Sequence, residues 1–186
     1  PYTDISDEKT ADFLLKEWYS SHNEPLLVMK GMGGIGKTTV IKYFLDELYK
    51  TLNRQNKLNI LFINSHEIID DIMKNSKIDN LFDFYRIIAD KNDIQDRFDK
   101  KLLELSIDSG NMIIVLDGLD EVIAKMGTKF NISNFINSIF EDYTENLEKT
   151  KIIITCRDYF WEKNQFQPIK TMSLKPFDKV MADKYF

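Results

Sequence analysis

One stretch limits the fold of this chain more than any other. Pro25-Leu26-Leu27-Val28-Met29-Lys30 is a short apolar run suited to a buried strand. Gly31-Met32-Gly33-Gly34-Ile35-Gly36-Lys37-Thr38-Thr39 follows at once. Val40, Ile41, Phe44, Leu45, Leu48 and Leu52 then recur on one face of a helix. Residues 31–38 fit G-x-x-x-x-G-K-[ST], and a strand before and a helix after are the context in which that pattern is a phosphate-binding loop. Glycines let the backbone wrap tightly and turn its N–H groups inward on phosphate oxygens. A helix starting near Lys37 adds the positive end of its dipole. Lys37 is expected to bridge the β- and γ-phosphates, and the Thr38 hydroxyl to ligate Mg²⁺. Gly31, Gly33, Gly34, Ile35, Gly36, Lys37, Thr38 and Thr39 are therefore the candidate nucleotide-binding residues.

The rest of the chain alternates strands with helices. Ile60–Ile63, Met112–Leu116, Lys151–Thr155 and Ile169–Leu174 read as further strands. Ala11, Leu14, Leu15, Trp18 and Tyr19 mark a helix from Asp7, capped by Ser6 or Asp7. Short helices are expected around Ile68–Met73 and Leu81–Ala89. Ile94, Phe98, Leu102 and Leu105 predict one that Gly110 ends. Ile132, Phe135, Ile136, Ile139, Phe140, Tyr143 and Leu147 predict a longer one. Such alternation implies an α/β fold: a P-loop NTPase three-layer sandwich around a central, mostly parallel five-stranded sheet. The expected division is a lead-in helix over 1–24, the core over 25–176, and over 177–186 the start of a helical domain that the chain end cuts.

Two more strand ends carry chemistry. Ile113-Ile114-Val115-Leu116-Asp117 is an apolar strand ending in an acid, the Walker B pattern, and Asp117 would hold Mg²⁺. Asp120 and Glu121 lie just beyond it. One carboxylate there suffices to orient a water, with Glu121 the first candidate and Asp120 the second. Lys151–Thr155 leads into Cys156-Arg157-Asp158. Ligands of parallel sheets sit beyond the C-terminal strand ends, so Arg157 is placed to sense a γ-phosphate. The bland alternative is a surface pair of Arg157 with Asp158 or Glu162. Cys156 reads as a small packing residue, and His22 and His66 as surface or cap residues without metal-ligand company.

Composition excludes several classes. The net charge of −5 argues against a dedicated nucleic-acid domain. No apolar run approaches a membrane span, and a single cysteine suits an intracellular, cytoplasmic protein. Residues 1–148 hold 17 basic and 26 acidic side chains, whereas residues 149–186 hold eight and four. A GTPase base-reading N-K-x-D after the acidic strand and a transporter-type L-S-G-G-Q before it are both absent. That tilts the base towards adenine without a motif that reads it.

These motifs resemble the STAND class of P-loop NTPases, and within it the NACHT family. Asp117-Gly118-Leu119-Asp120-Glu121 is the most specific match, with a tiny residue after the Mg²⁺ aspartate and acids close behind. The lead-in Lys16–Val28, the strand Ile152-Ile153-Ile154-Thr155-Cys156-Arg157, and Leu174-Lys175-Pro176-Phe177 with the stretch to Phe186 are similar too. The loop 31–39 and the Arg157-Asp158 pair are equally typical of the NB-ARC branch, which usually carries two adjacent aspartates where this chain has Asp117-Gly118. The resemblance implies a switch that binds ATP or ADP with Mg²⁺ and hydrolyses ATP slowly. It implies homo-oligomerisation in the full-length active state, with effector and sensor domains outside this stretch, often in antiviral defence. The alternatives are an AAA-like motor or other catalytic P-loop enzyme, and a non-hydrolysing nucleotide-binding scaffold.

Overall fold

The computed structural model describes residues 10–52, 58–74, 77–110, 112–143, 145, 148–162 and 169–176. In chain order the elements are α1 (Ala11–Ser20), β1 (Leu26–Lys30), α2 (Lys37–Leu52), β2 (Asn59–Asn64), α3 (Ser65–Lys74), α4 (Leu81–Lys91) and α5 (Lys100–Asp108). Then come β3 (Met112–Asp117), α6 (Leu119–Met126), α7 (Ile132–Tyr143), β4 (Lys151–Cys156), the short α8 (Asp158–Glu162) and β5 (Lys170–Ser173). The five strands form one sheet in the order β2-β3-β4-β1-β5, and every pairing is parallel. The expected α/β sandwich is therefore present, with a sheet that is wholly parallel among the described residues.

Strand alternation builds the three layers. Successive side chains of a strand point to opposite faces. Leu26 and Val28, Ile114 and Leu116, and Ile152 and Ile154 face one side, where they pack with Ile68, Phe84, Leu103, Val122 and Phe135 of α3–α7. Leu27 and Met29, Ile113 and Val115, and Ile153 face the other, where they meet Leu15 and Trp18 of α1 and Ile41, Phe44 and Leu45 of α2. Both faces are covered, so β3 and β4 are buried from end to end, each around an unbroken apolar centre, Met112–Leu116 and Ile152–Ile154.

Register sets the site. Asn64 pairs with Asp117, and Lys30 with Cys156. The C-terminal ends of β1 to β4 thus align along one edge of the sheet. The chain leaves β1 for β2 at the far edge and later returns to β5 beside β1, so the order reverses at β1 and β4. Ligands of open parallel sheets bind at such a reversal.

Two local expectations are corrected. Helix α1 begins at Ala11 and not at Asp7, with Thr10 as its cap, whose hydroxyl accepts from Phe13 N at 3.3 Å; Ser6 and Asp7, the expected caps, lie outside the described residues. Helix α5 begins only after Asp99, whose carboxylate caps Leu102 N at 2.7 Å. It buries Leu103 and Ile107, while Leu102 and Leu105 are about half exposed. A helical count begun at Ile94 has the wrong phase, because residues 92–99 form turns. Leu147 and the residues 177–186 are outside the described set.

A buried cation ties α1 to the sheet. Lys151 is 3% exposed, and its Nζ donates to the carbonyls of Ser21 at 2.7 Å, Trp18 at 3.2 Å and Glu24 at 3.5 Å. The ammonium also sits 5.2 Å from the centre of the Trp18 ring. Burial lowers its pKa below the ordinary lysine value, against the opposing charge of Glu24.

Candidate functional site

The phosphate-binding loop leaves β1 and enters α2, whose first residue is Lys37. Gly34 and Gly36 hold φ of +76° and +97°, and a Cβ on either would meet nothing within 4 Å. This is an open backbone cradle in a conformation that glycine alone adopts readily. Lys37 Nζ donates to the carbonyls of Gly31 at 2.7 Å and Met32 at 3.0 Å, which holds the ammonium across the loop.

Asp117 is the centre of a tight bonding set. It is 7% exposed. Thr38 Oγ1 donates to its Oδ2 at 2.7 Å, and Thr155 Oγ1 donates to its Oδ1 at 2.6 Å. Thr155 Oγ1 accepts in turn from Gly118 N at 2.7 Å. The carboxylate is thus fixed from both sides by hydroxyls on α2 and β4. Ser65, fully buried at the start of α3, donates to the carbonyl oxygens of Asp117 at 2.8 Å and Gly118 at 2.7 Å.

Gly118 has φ of +88°, and a Cβ there would lie 2.5 Å from Ser65 Oγ. The tiny residue after Asp117 therefore has a local cause in this chain: left-handed backbone packed against a buried hydroxyl.

The two acids that follow have different neighbours. Asp120 Oδ2 pairs with Arg157 Nε at 2.9 Å. Glu121 Oε2 lies 3.2 Å from His66 Nδ1. Lys37, Thr38, Asp117, Asp120, Glu121 and Arg157 all line one cavity of about 260 Å³. Gly33, Gly34, Gly118, Thr155, Asn64 and His66 complete its wall. Of the other candidate loop residues, Gly31 and Ile35 pack within the loop, where a Cβ on Gly31 would be 3.1 Å from Ile35 Cγ2. Gly36 contributes its carbonyl to the first turn of α2, bonded by Val40 N at 2.9 Å, and Thr39 is exposed.

Arg157 has a partner that the bland alternative did not name: Asp120. Four residues at or behind the cavity wall carry no assignment from the sequence. Three of them line the wall, Thr155, Asn64 and His66, and the fourth, Ser65, is buried behind Asp117 and Gly118; each stands at or just past the end of a strand, so the strand-end rule applied to Arg157 also reaches them. His66 is as exposed as expected, yet it faces Glu121. Cys156 is fully buried, and burial, with the charge of Asp120, pushes its thiol up to about 12. It is a packing residue.

The donor set suits magnesium and a polyphosphate. A hydroxyl and a carboxylate 2.7 Å apart are hard oxygen ligands, and Mg²⁺ typically takes one or two such side chains and completes its shell with water and phosphates. Among the described residues no group of three or more His, Cys, Asp or Glu could hold a metal. No helix among the described residues is long and apolar enough to cross a membrane.

The chain resembles solved structures in fold. Cdc6p of Pyrobaculum aerophilum matches with a TM-score of 0.52 at 15% identity, over 91% of this chain. The ORC2 protein of Aeropyrum pernix, solved in ADPNP–ADP complexes, matches with a TM-score of 0.53 at 11% identity, over 88% of this chain. The chain spans 44% of the length of each. No curated protein matches the sequence. A profile of the ATPase family associated with various cellular activities matches residues 27–166, from β1 past β4 and through the whole cavity. The chain belongs to this AAA family of ATPases.

Proposed function

We propose that this AAA-family domain binds Mg-ATP at the cavity and hydrolyses it slowly, as the nucleotide-operated switch of a larger protein. The observation that carries the reading is the convergence of Lys37, Thr38, Asp117, Glu121 and Arg157 on one cavity at the C-terminal edge of the sheet. Lys37 and the loop backbone bind the phosphates. Arg157 meets the terminal phosphate. Thr38 and Asp117 hold a bound Mg²⁺, which neutralises charge on the phosphate oxygens. Glu121 orients the attacking water and takes its proton, having a half-buried carboxylate at the cavity wall.

The NACHT-like pattern of residues 117–121 supports a regulatory role. On this reading residues 1–24 are a lead-in, 177–186 begin a helical domain, and ATP supports homo-oligomerisation that drives an attached effector, in antiviral defence. The family match favours a second reading, a cycling AAA motor. A motor needs an arginine for its neighbour's site. Of the candidates, Arg97 is paired with Asp90, Arg86 is exposed on α4, and Arg54 is outside the described residues.

Two variants and one rate test these readings. Lys37→Ala should lose ATP binding in equilibrium titration, and unchanged affinity would sink the site. Glu121→Gln should keep binding and lose hydrolysis by about 10²–10⁴-fold, the range for a general base. Turnover of the wild type near 1 s⁻¹ or faster, on the order of ordinary enzymes, would favour the motor over the switch.

A further inference from the structure

Asp120 and Glu121 are adjacent in the first turn of α6, yet their settings differ. Asp120 is 5% exposed, while the Glu121 side chain is 36% exposed. A buried carboxylate is costly unless a cation and hydrogen bonds accompany it. Arg157 supplies the cation, with Nε 2.9 Å from Asp120 Oδ2.

The arginine itself is not buried. Its side chain is 55% exposed and lines the cavity. A Cβ on Gly33 would lie 3.5 Å from Arg157 Cζ and 3.6 Å from both Nε and Nη2. The guanidinium therefore lies alongside the phosphate-binding loop. Guanidinium is a rigid fork of five N–H donors. The ion pair with Asp120 is made at Nε, and the four N–H groups on the terminal nitrogens lie outside it.

We infer that Asp120 is the positioning residue of Arg157, and that through this fixed fork it sets the preference of the site for a nucleoside triphosphate over a diphosphate. The inference rests on the nucleotide-binding reading above and assigns Asp120 a role other than activating water. A terminal phosphate presents several anionic oxygens, which a guanidinium binds in a bidentate, directional way. A diphosphate offers the fork no such group at that place. Holding Nε removes rotamer freedom from Arg157 before ligand arrives, so less ordering is needed on binding.

The test is calorimetric binding of ATPγS and of ADP to the whole chain, for wild type, D120A, D120N, R157A and the D120A/R157A pair. D120A should lower the ratio of ATPγS to ADP affinity about tenfold, the scale of one charge-assisted hydrogen bond. D120N retains an oxygen that accepts from Nε and should recover most of the ratio. R157A should lower the ratio at least as far, and D120A should add nothing in its background. A ratio unchanged in D120A, or effects that add, overturn the inference. ¹⁵N spectra of the arginine side chains give a ligand-free readout. A slowly exchanging Arg157 Nε–H should be present in wild type and D120N and absent in D120A; its survival in D120A overturns the positioning. If wild type binds neither nucleotide, the functional reading fails and the preference fails with it. If wild type binds both and D120A leaves the ratio intact, only the role of Asp120 fails.

Discussion

Gly118→Ala is the substitution whose cost the geometry defines best. Two effects add. The residue sits at φ of +88°, and a left-handed backbone costs an alanine roughly 1–2 kcal/mol. The new Cβ would also lie 2.5 Å from Ser65 Oγ, so one of them must move. Ser65 is fully buried and bonds the carbonyls of Asp117 and Gly118. Its hydroxyl has no water to turn to, and a buried polar group stripped of its partner costs about 1–3 kcal/mol. The sum is roughly 2–5 kcal/mol, a large share of the ~5–15 kcal/mol that holds a domain folded. Urea unfolding followed by circular dichroism measures it. The control is the same change in a Ser65→Ala background, where Oγ is gone and only the backbone penalty of about 1–2 kcal/mol should remain. A loss under about 0.5 kcal/mol, the size of an ordinary surface change, would refute the steric account. So would an equal loss in both backgrounds, since contacting residues should couple.

Two further outcomes follow from buried groups. Cys156, its thiol pushed up to about 12 by burial and the nearby Asp120 charge, should resist iodoacetamide in the folded chain at pH 8 and react after unfolding in urea; labelling at the rate of a free cysteine contradicts this. Lys151 has a lowered pKa, so the unfolded chain binds more protons between that value and the ordinary ~10.4. Stability should therefore rise with pH across that window and be flat with respect to this group below it. Lys151→Met should abolish that rise and cost about 1–3 kcal/mol, because the carbonyls of Ser21 and Glu24 lose a donor. Urea midpoints at several alkaline pH values check both statements.

The strands and the phosphate loop were legible because their signals are local. Five apolar residues ending at Asp117, or a loop of glycines before Lys37, state their own conformation. The parallel sheet follows from the alternation of strands and helices. Helix α5 was misread for an equally local reason. Asp99 and not Ile94 starts it, and the turn between them shifts the apolar count by about a residue, from Leu102 to Leu103. What the sequence withheld is pairing across the sheet. Arg157 has acids nearby in the chain, yet its partner lies 37 residues earlier, because β3 and β4 are neighbours in register. Ser65 is silent for the same reason. It is one more serine after a strand until β2 and β3 are placed side by side and its hydroxyl meets Gly118.

That adjacency also explains how two consecutive acids acquire separate duties. Successive residues of a helix point about 100° apart. Helix α6 begins at Leu119, so Asp120 and Glu121 leave its first turn in different directions. One direction leads to the end of β4 and Arg157, the other to the start of α3 and His66. Gly118 makes this possible, since its left-handed turn allows the helix to begin two residues after the strand ends at Asp117. A residue inserted between Asp117 and Asp120 would rotate the pair by about 100° and swap or break both contacts. The spacing Asp117, Asp120, Glu121 is thus a geometric requirement: a carboxylate for Thr38 and Thr155 at the strand end, one for Arg157, and one beside His66 at the cavity wall.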